Sequence, residues 1–209
     1  MVKFNPRIFE EVEEAKKALY NHGVIAFPTE TVMGLGVLFN DFDAYNKLNK
    51  IKERPEDKPY TLMLKSIDDI SKYGIIDEAT QRVIDAFMPG SLTILVPVKE
   101  DAVPDYVTHN TSVIGMRVPT NIEAEQVLLA ADLPLLVPSA NKSGHKPALS
   151  SDEVREIFGD EVDYIVSGEA KSAVPSTIVN LTKGTPKVVR EGAISEEEIL
   201  RVYYNKLKC

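Results

Sequence analysis

The sequence lacks most of the residues that mark disulfides, metal centres and covalent catalysis. It has one cysteine, Cys209, in 209 residues, so it cannot form an internal disulfide or a cysteine-based zinc site. Its three histidines, His22, His109 and His145, stand far apart in the sequence, and a lone histidine is more often solvated than functional. We therefore expect a reducing, cytoplasmic setting and no metal held by the protein's own side chains.

The sequence also lacks several short motifs and any long apolar run. It contains no Gly-x-x-x-x-Gly-Lys-Ser/Thr loop, no Gly-x-Gly-x-x-Gly segment and no His-Glu-x-x-His segment, which excludes the common glycine-rich phosphate loops and the zincin metal site. No apolar run approaches the roughly 20 residues of a membrane helix. The first residues lack the apolar core of a signal peptide. We expect no membrane partner.

Tryptophan is absent, and the net charge of −8 is acidic. Proteins that grip nucleic acid usually carry a basic stripe and stacking aromatic residues. A local cluster of cations in residues 47–58 stands out against this background. An RNA-binding module, in which a cavity would hold a phosphate backbone, is therefore a weaker alternative for this chain.

What the sequence does contain is the pattern of one α/β domain. Its length suits a single domain, here taken as 1–209, and we find no linker. Helical periodicity predicts a first helix after Asn5-Pro6 that contains Ile8 to Leu19 and stops by Gly23. Periodicity and caps predict further helices near residues 41–52, 77–87, 122–131, 152–158 and 195–206. Branched, apolar runs predict strands at residues 24–27, 61–64, 92–96, 112–118, 135–137, 164–166, 177–181 and 187–189. Because several strands follow one another closely, we expect a mixed sheet with flanking helices.

The most informative segment is Gly23–Gly36, in which a strand-like run breaks at Pro28 into Thr29, Glu30 and Thr31 before two glycines. Proline ends strand pairing, and glycine permits close approaches that a Cβ would block. The segment predicts small polar groups that face a cavity. An ordinary strand-to-helix turn explains the fragment equally well.

Further polar groups follow other predicted strands. Ser139 and Asn141 follow one strand, Arg117 closes another, and Ser176 begins a third. Residues 52–59 add a loop with three cations and two prolines, which suits nucleotide phosphates but is also typical of a charged surface turn. Because α/β proteins usually bind ligands beside the strand ends, we expect these segments to converge on one crevice.

Seven segments, in this order, resemble the threonylcarbamoyl-AMP synthase family (YrdC-like). They are Pro28-Thr29-Glu30-Thr31-Val32-x-Gly34-Leu35-Gly36, Lys52-x-Arg54-Pro55 with Lys58-Pro59, Pro89-Gly90-x-Leu92-Thr93, Arg117-Val118-Pro119, Pro138-Ser139-Ala140-Asn141-x-Ser143-Gly144, Ser176-Thr177-x-Val179 and Arg190-x-Gly192. The resemblance implies a twisted mixed β-sheet with flanking helices around a large open cavity. It also implies a short form of the family, without the extra C-terminal domain of longer relatives.

The resemblance implies an enzyme that joins L-threonine, bicarbonate and ATP into threonylcarbamoyl-AMP and releases pyrophosphate, with Mg²⁺ on the phosphates. The product would feed N6-threonylcarbamoyladenosine formation in tRNA through a downstream transferase. Related carbamoyl-adenylate chemistry in hydrogenase maturation is an alternative, usually found in much longer chains. A regulatory nucleotide binder without catalysis is another.

The resemblance also assigns expected roles to individual residues. The catalytic positions are Lys52 and Arg54. The ATP-binding positions are Arg54, Lys58, Val113, Asn141, Ser143 and Arg190. The threonine-binding positions are Thr29, Met63, Arg117, Ser139 and Ser176.

The sequence departs from the family pattern at a few positions. Met33 stands where the family usually has tyrosine, which places any contact with a phenol in doubt. Ala148-Leu149-Ser150 replaces the family's Ser-Pro-Thr, so a hydroxyl contact there is expected to be shifted or lost.

Overall fold

The computed structural model of the protein describes residues 6–53 and 59–205. Its helices are α1 (Pro6–Tyr20), α2 (Phe42–Lys52), α3 (Ile70–Tyr73), α4 (Glu78–Phe87), α5 (Asp105–Thr108), α6 (Ile122–Ala131), α7 (Ser151–Phe158) and α8 (Glu196–Tyr203), with 3₁₀ turns at Ile67–Asp69 and Gly159–Glu161. Within these two ranges, no helix combines the length and the apolar character that crossing a membrane requires.

Nine strands form one mixed sheet. They are β1 (Ile25–Phe27), β2 (Gly34–Leu38), β3 (Thr61–Met63), β4 (Leu92–Pro97), β5 (Val113–Arg117), β6 (Leu135–Leu136), β7 (Tyr164–Ile165), β8 (Thr177–Asn180) and β9 (Lys187–Arg190). Their order across the sheet is β7-β1-β2-β6-β3-β5-β4-β8-β9. The pairs β1/β7, β3/β5 and β4/β8 are parallel and the other pairs are antiparallel. The predicted mixed α/β fold is confirmed.

Side-chain caps begin the helices where the sequence predicts them. Asp77 accepts a hydrogen bond from the Thr80 amide at the start of α4. Ser195 and Glu198 form a reciprocal capping box at the start of α8. Such caps satisfy amide groups that have no partner inside the helix. The predicted boundaries of these two helices follow from this local chemistry.

Strand β2 is absent from the sequence prediction, because its glycines are more typical of turns than of strands. The structure explains both glycines by close packing across the sheet. A Cβ on Gly34 would lie 2.8 Å from Val137 Cγ1, and one on Gly36 would lie 2.8 Å from Phe27 Cε1. The close approach predicted for these glycines is therefore observed, but it occurs inside a strand.

The two faces of the sheet are covered unequally. One face packs in an apolar cluster with α2, α4 and α8, which includes Leu62, Ile94 and Met116. The opposite face packs against α1 and α6 through a second cluster built largely on β1 and β6. Among the described residues, that second cluster contains no side chain from β4, β5 or β8. No element of ranges 6–53 and 59–205 packs an apolar cluster on that face of β4, β5 and β8, which forms the floor of a cavity.

Candidate functional site

The face of the sheet opposite α2, α4 and α8 carries a cavity of about 260 Å³. Side chains alternate across a strand, so Thr61, Thr93 and Arg117 point into the cavity while their strand neighbours pack in the core. The polar residues that line it are Thr31, Thr61, Thr93, Arg117, Ser139, Ser176 and Arg190, and the apolar residues include Val32, Tyr60, Met63, Val137 and Ile178. The cavity therefore combines two cations, several hydroxyl groups and an apolar wall.

Arg117 ends β5 with its guanidinium held along one edge. Its Nη2 donates to Glu30 Oε1 at 2.6 Å and to Thr31 Oγ1 at 3.0 Å, and its Nε donates to the Gly90 carbonyl at 3.2 Å. The Arg117 and Glu30 side chains are only 8% and 9% exposed. In the described part of the chain, Nη1 has no hydrogen-bond acceptor, so its two N–H groups remain for a ligand.

Arg190 ends β9 and is anchored in the same manner. Its Nε and Nη2 donate to the Ser176 carbonyl at 3.1 and 2.7 Å, and Nη2 also donates to Ser176 Oγ at 3.0 Å. No residue in ranges 6–53 and 59–205 accepts from its Nη1. Desolvation of the guanidinium, followed by the nearby charge of Arg117, lowers the pKa of Arg190 from its usual value. Both anchored cations line the same cavity.

Thr29 lies behind the cavity wall and orients Thr31. The Thr29 hydroxyl donates to the Val32 carbonyl at 2.7 Å, which uses its only proton. The Thr31 hydroxyl, 3.0 Å away, must then donate to Thr29 Oγ1 and accept from Arg117. This chain of hydrogen bonds runs from the guanidinium to the backbone. Any effect of Thr29 on a ligand would pass through Thr31.

Lys52 joins the end of α2 to the loop that follows β6. The residue is 2% exposed, and its Nζ donates to the carbonyls of Ser139 and Asn141 at 2.6 and 2.7 Å. Its own carbonyl accepts from the Ser143 amide at 2.8 Å. Lys52 thus fixes the loop that places Ser139 in the cavity wall.

Asn141 closes this loop on itself. Its side-chain nitrogen donates to the carbonyls of Lys142 and His145 at 2.8 and 2.9 Å, and its Oδ1 accepts from Ser139 Oγ at 2.6 Å. Because the Ser139 hydroxyl proton is used in this way, Ser139 Oγ can offer a ligand only its lone pairs.

Replacement of Lys52 by methionine is expected to destabilise the protein. Methionine keeps an unbranched side chain but leaves the carbonyls of Ser139 and Asn141 without this donor, and an unsatisfied buried polar group costs about 1–3 kcal/mol. Urea denaturation would measure the free energy of unfolding. Lys50→Met is the matched control, since Lys50 lies on the same helix and is exposed. Equal stability of the two variants would contradict the role of the Lys52 ammonium.

The structure gathers some of the residues that the sequence predicts and separates others. Met63, Arg117, Ser139, Ser176 and Arg190 line the one cavity. Three other predicted residues are buried behind its wall, namely Thr29, Lys52 and Asn141. Ser143 and Val113 do not line it. Arg54 and Lys58 lie outside the described residues, so their predicted roles stay predictions, as does every role assigned to a single residue.

Several cavity residues have no role in the sequence prediction. Thr61 and Thr93 are hydroxyl residues at alternating positions in apolar strands, and that contrast was a usable signal. Thr31 was predicted to face a cavity, and it lines this one, although no ligand role was assigned to it. Tyr60 follows the Lys58-Pro59 motif, and nothing in the sequence singles it out. Glu30 is quoted in the first motif, but its contact with Arg117, 87 residues away, depends on the fold.

Met33 and Ser150, at two positions that depart from the family pattern, both have structural roles. Met33 is fully buried in the first apolar cluster, so it contributes no cavity contact. Ser150 accepts a hydrogen bond from the Glu153 amide and caps α7. Neither Met33 nor Ser150 lines the cavity.

The described residues can bind anions but do not form a metal site by themselves. They contain no group of three or more histidine, cysteine, aspartate or glutamate side chains able to hold a metal ion. Two anchored guanidinium groups in one cavity suit a ligand with two anionic parts, such as a carboxylate and a phosphate. The hydroxyl groups between them suit a small polar ligand body.

Comparison with known proteins places this geometry in context. The sequence model of the Sua5/YciO/YrdC family, described as "Telomere recombination", matches residues 17–192. The threonylcarbamoyl-AMP synthase of Pyrococcus abyssi is 33% identical over 181 residues, which cover 86% of this chain and 53% of that protein. The uncharacterized protein YciO of Escherichia coli strain K12 is 29% identical over 182 residues, covering 87% and 88%.

Solved structures show the same fold. Sua5 of P. abyssi, crystallised in complex with L-threonine, is similar with a TM-score of 0.86 and 30% identity, over 91% of this chain and 56% of that one. The crystal structure of E. coli YciO is similar with a TM-score of 0.83 and 29% identity, over 90% and 92%. The chain spans about half the length of the P. abyssi synthase and most of the length of YciO.

Proposed function

Because the chain belongs to the Sua5/YciO/YrdC family, we propose that it is a nucleotidyltransferase that makes L-threonylcarbamoyladenylate. Its substrates are L-threonine, bicarbonate and ATP, and its second product is pyrophosphate. The product would pass to a transferase that modifies tRNA, with or without direct contact between this chain and tRNA. ATP is a substrate of the proposed reaction and tRNA is modified in the step that follows it, so we propose that the activity is cytoplasmic.

The observation that carries this proposal is the pair of anchored arginines in one cavity. Arg117 and Arg190 each use Nε and Nη2 for internal hydrogen bonds and keep Nη1 without an acceptor in the described residues. Two such cations suit a substrate pair that brings one carboxylate and one polyphosphate into a common site. Arg117 would hold the threonine carboxylate, and Arg190 would lie on the nucleotide side.

The cavity wall also suits the body of threonine. Thr31, Ser139 and Ser176 line the same space as Val32, Met63 and Val137. Small hydroxyl groups can bind the amine and hydroxyl of the amino acid, while the apolar side chains can enclose its methyl group. One methyl group in a fitted apolar pocket changes binding by about 1–3 kcal/mol, so threonine is expected to be preferred over serine.

The reaction needs positioning more than a protein nucleophile. The threonine amine adds to the carbon of bicarbonate-derived carbon dioxide and loses a proton to give a carbamate. A carbamate oxygen then attacks the α-phosphorus of ATP, and the bond to the leaving pyrophosphate breaks. Both reactants are anionic, so fixed cations that offset repulsion and hold them in line supply the catalysis. This role suits the preorganised guanidinium groups.

Magnesium enters this proposal only as part of the nucleotide substrate. Since the described residues offer no cluster of metal ligands, Mg²⁺ would arrive on the ATP phosphates. Arg54 and Lys58 are expected to contact the same phosphates by the family resemblance, and Lys52 would act by shaping the loop of Ser139.

A direct assay tests the function. The protein is incubated with MgATP, bicarbonate and L-threonine, pyrophosphate release is followed, and the adenylate is identified by mass. We expect release to require both threonine and bicarbonate, and the mass to match threonylcarbamoyl-AMP. ATP turnover that does not depend on threonine would indicate that a protein of this fold transfers the adenylyl group to a different acceptor. Salt-sensitive tRNA binding with no ATP turnover would favour an RNA-binding module instead.

A further inference from the structure

Glu30 is a buried carboxylate that does not line the cavity itself but contacts Arg117, which does. It follows β1 and reaches Arg117, with Oε1 accepting from Nη2 at 2.6 Å. Its other oxygen, Oε2, accepts from the Thr120 amide at 3.3 Å. Within the described chain, Arg117 is its only ion-pair partner. Both ends of the contact are therefore fixed, one by the backbone after β5 and the other by the strand itself.

This contact decides which edge of the guanidinium is available. Nη2 has two N–H groups, and Glu30 and Thr31 use both of them, while Gly90 accepts from Nε. A guanidinium is planar and rigid, so fixing these two nitrogens also fixes the third. The Nη1 edge is thereby held in place for a ligand before the ligand binds, which avoids part of the entropic cost of ordering the side chain.

The contact also sets the charge of the cavity. Arg117 and Arg190 would together place two positive charges on this small space, and the charge of Arg117 contributes to the lowered pKa of Arg190. The Glu30 carboxylate offsets one of them. Among the described residues, this leaves the cavity lining with one net positive charge.

The buried Glu30–Arg117 ion pair is expected to contribute little to the free energy of unfolding. Removing two charges from water costs free energy that their attraction only partly returns, and an apolar pair of similar size is often as stable. The Glu30–Arg117 pair lies at the end of the Thr29–Thr31 hydrogen-bond chain, and its free N–H edge belongs to a residue that lines the cavity. These observations favour a role in ligand binding.

We propose that Glu30 is a positioning residue that holds the Arg117 guanidinium so that its Nη1 edge receives the carboxylate of the amino-acid substrate. This inference rests on the proposed function. It assigns Glu30 no contact with the substrate and no proton transfer. Loss of Glu30 is therefore expected to change the KM for L-threonine without a matching change in the KM for ATP.

The main test is Glu30→Met, which removes both acceptor oxygens and keeps a side chain of similar size. We expect the KM for L-threonine to rise about 10- to 100-fold, the effect of losing a well-ordered charge-assisted contact, while the KM for ATP changes little. Glu169→Met is the matched control, because Glu169 is exposed and does not line the cavity, and the substitution removes the same charge. A purely structural role would lower the melting temperature and leave the threonine KM unchanged.

Glu30→Gln keeps one acceptor oxygen, and it tests the positioning role of Glu30 if the methionine variant fails to fold. We expect a smaller increase in the threonine KM than for methionine. If every folded Glu30 variant shows an unchanged or lower threonine KM, Glu30 competes with the ligand for Arg117 or is irrelevant to binding, and the proposal is wrong.

A measurement without substrates separates this inference from the proposed function. Nitrogen-15 NMR of the arginine side chains reports rotation of the Arg117 guanidinium, with its signals assigned from their loss in Arg117→Lys. We expect slow rotation in the wild-type protein and faster rotation in the Glu30 variants. Rotation that is equally fast in both would overturn the positioning role even if the wild-type enzyme makes threonylcarbamoyl-AMP. Slow wild-type rotation with no threonine-dependent turnover would overturn only the reaction.

Discussion

Arg117→Met is expected to reduce threonine-dependent pyrophosphate release to about one hundredth of the wild-type rate or less. The substitution removes the guanidinium that would hold the substrate carboxylate, and losing a charge-assisted contact costs about 1.5–3 kcal/mol. It also removes a fixed positive charge from a site where two anions must approach each other, so the effects on binding and on the transition state add. Initial rates at several threonine concentrations would measure the loss.

The same substitution is expected to destabilise the fold. It leaves the Glu30 carboxylate, 9% exposed, without its cation, and breaking one side of a buried pair costs about 3–5 kcal/mol. Arg155→Met is the control for the change of residue type, because Arg155 is 54% exposed and pairs with Asp152 on the surface of α7. That variant is expected to keep both its stability and its activity.

A double variant separates stability from catalysis at Arg117. Glu30→Gln combined with Arg117→Met removes both charges of the pair, so no buried ion is left alone. We expect the free energy of unfolding to recover most of the way to the wild-type value, while the rate stays at the level of the single Arg117 variant. Recovery of activity together with stability would show that Arg117 acts only on the fold.

Local chemistry made most of the fold predictable. Asp77 and Ser195 mark helix starts through caps that form within one turn, and branched apolar runs mark strands. β2 escaped prediction because a strand made of Gly-Leu-Gly-Val-Leu has little intrinsic strand preference. Its glycines are required because a Cβ would overlap Val137 or Phe27. These two residues lie elsewhere in the sequence, so the requirement for glycine is visible only in the assembled sheet.

The site was predictable to the level of its segments and less so to the level of its atoms. The strand ends at Arg117, Ser139 and Ser176 do converge on one cavity, as α/β topology favours. The direction of Lys52 and the partner of Arg117 were not predictable, because each depends on contacts between residues more than 80 positions apart. A motif names the residues of a site, while the hydrogen bonds decide which of them face the ligand.

Gly192→Ala is the second substitution for which we expect a large loss of activity, although Gly192 does not line the cavity. A Cβ at this position would lie 2.6 Å from the Thr177 amide nitrogen, 2.7 Å from the Ser176 carbonyl carbon, and closer still to the Pro175 carbonyl oxygen. All three are backbone atoms, so no side-chain rotation can relieve the overlap. The segment after β9 must move away from Pro175 and Ser176.

That movement would disturb the anchoring of Arg190. Gly192 lies two residues after Arg190, whose guanidinium holds the Ser176 carbonyl and hydroxyl. The Gly192 amide also donates to Thr177 Oγ1 at 3.0 Å, which ties the two segments together. We expect overpacking to cost about 1–3 kcal/mol of stability, and the activity to fall at least tenfold because the cation on the nucleotide side is displaced.

Gly184→Ala is the control that matches the stability loss without touching the cavity. Gly184 lies in the turn between β8 and β9 with φ of +68° and no described atom within 4 Å of an added Cβ, so alanine there costs about 1–2 kcal/mol through backbone strain alone. Thermal unfolding and initial rates with varied ATP would be measured for both variants. If Gly192→Ala raises the KM for ATP while Gly184→Ala does not, the contact of Gly192 with Pro175 and Ser176 maintains the geometry of Arg190; equal kinetics at equal stability would exclude that coupling.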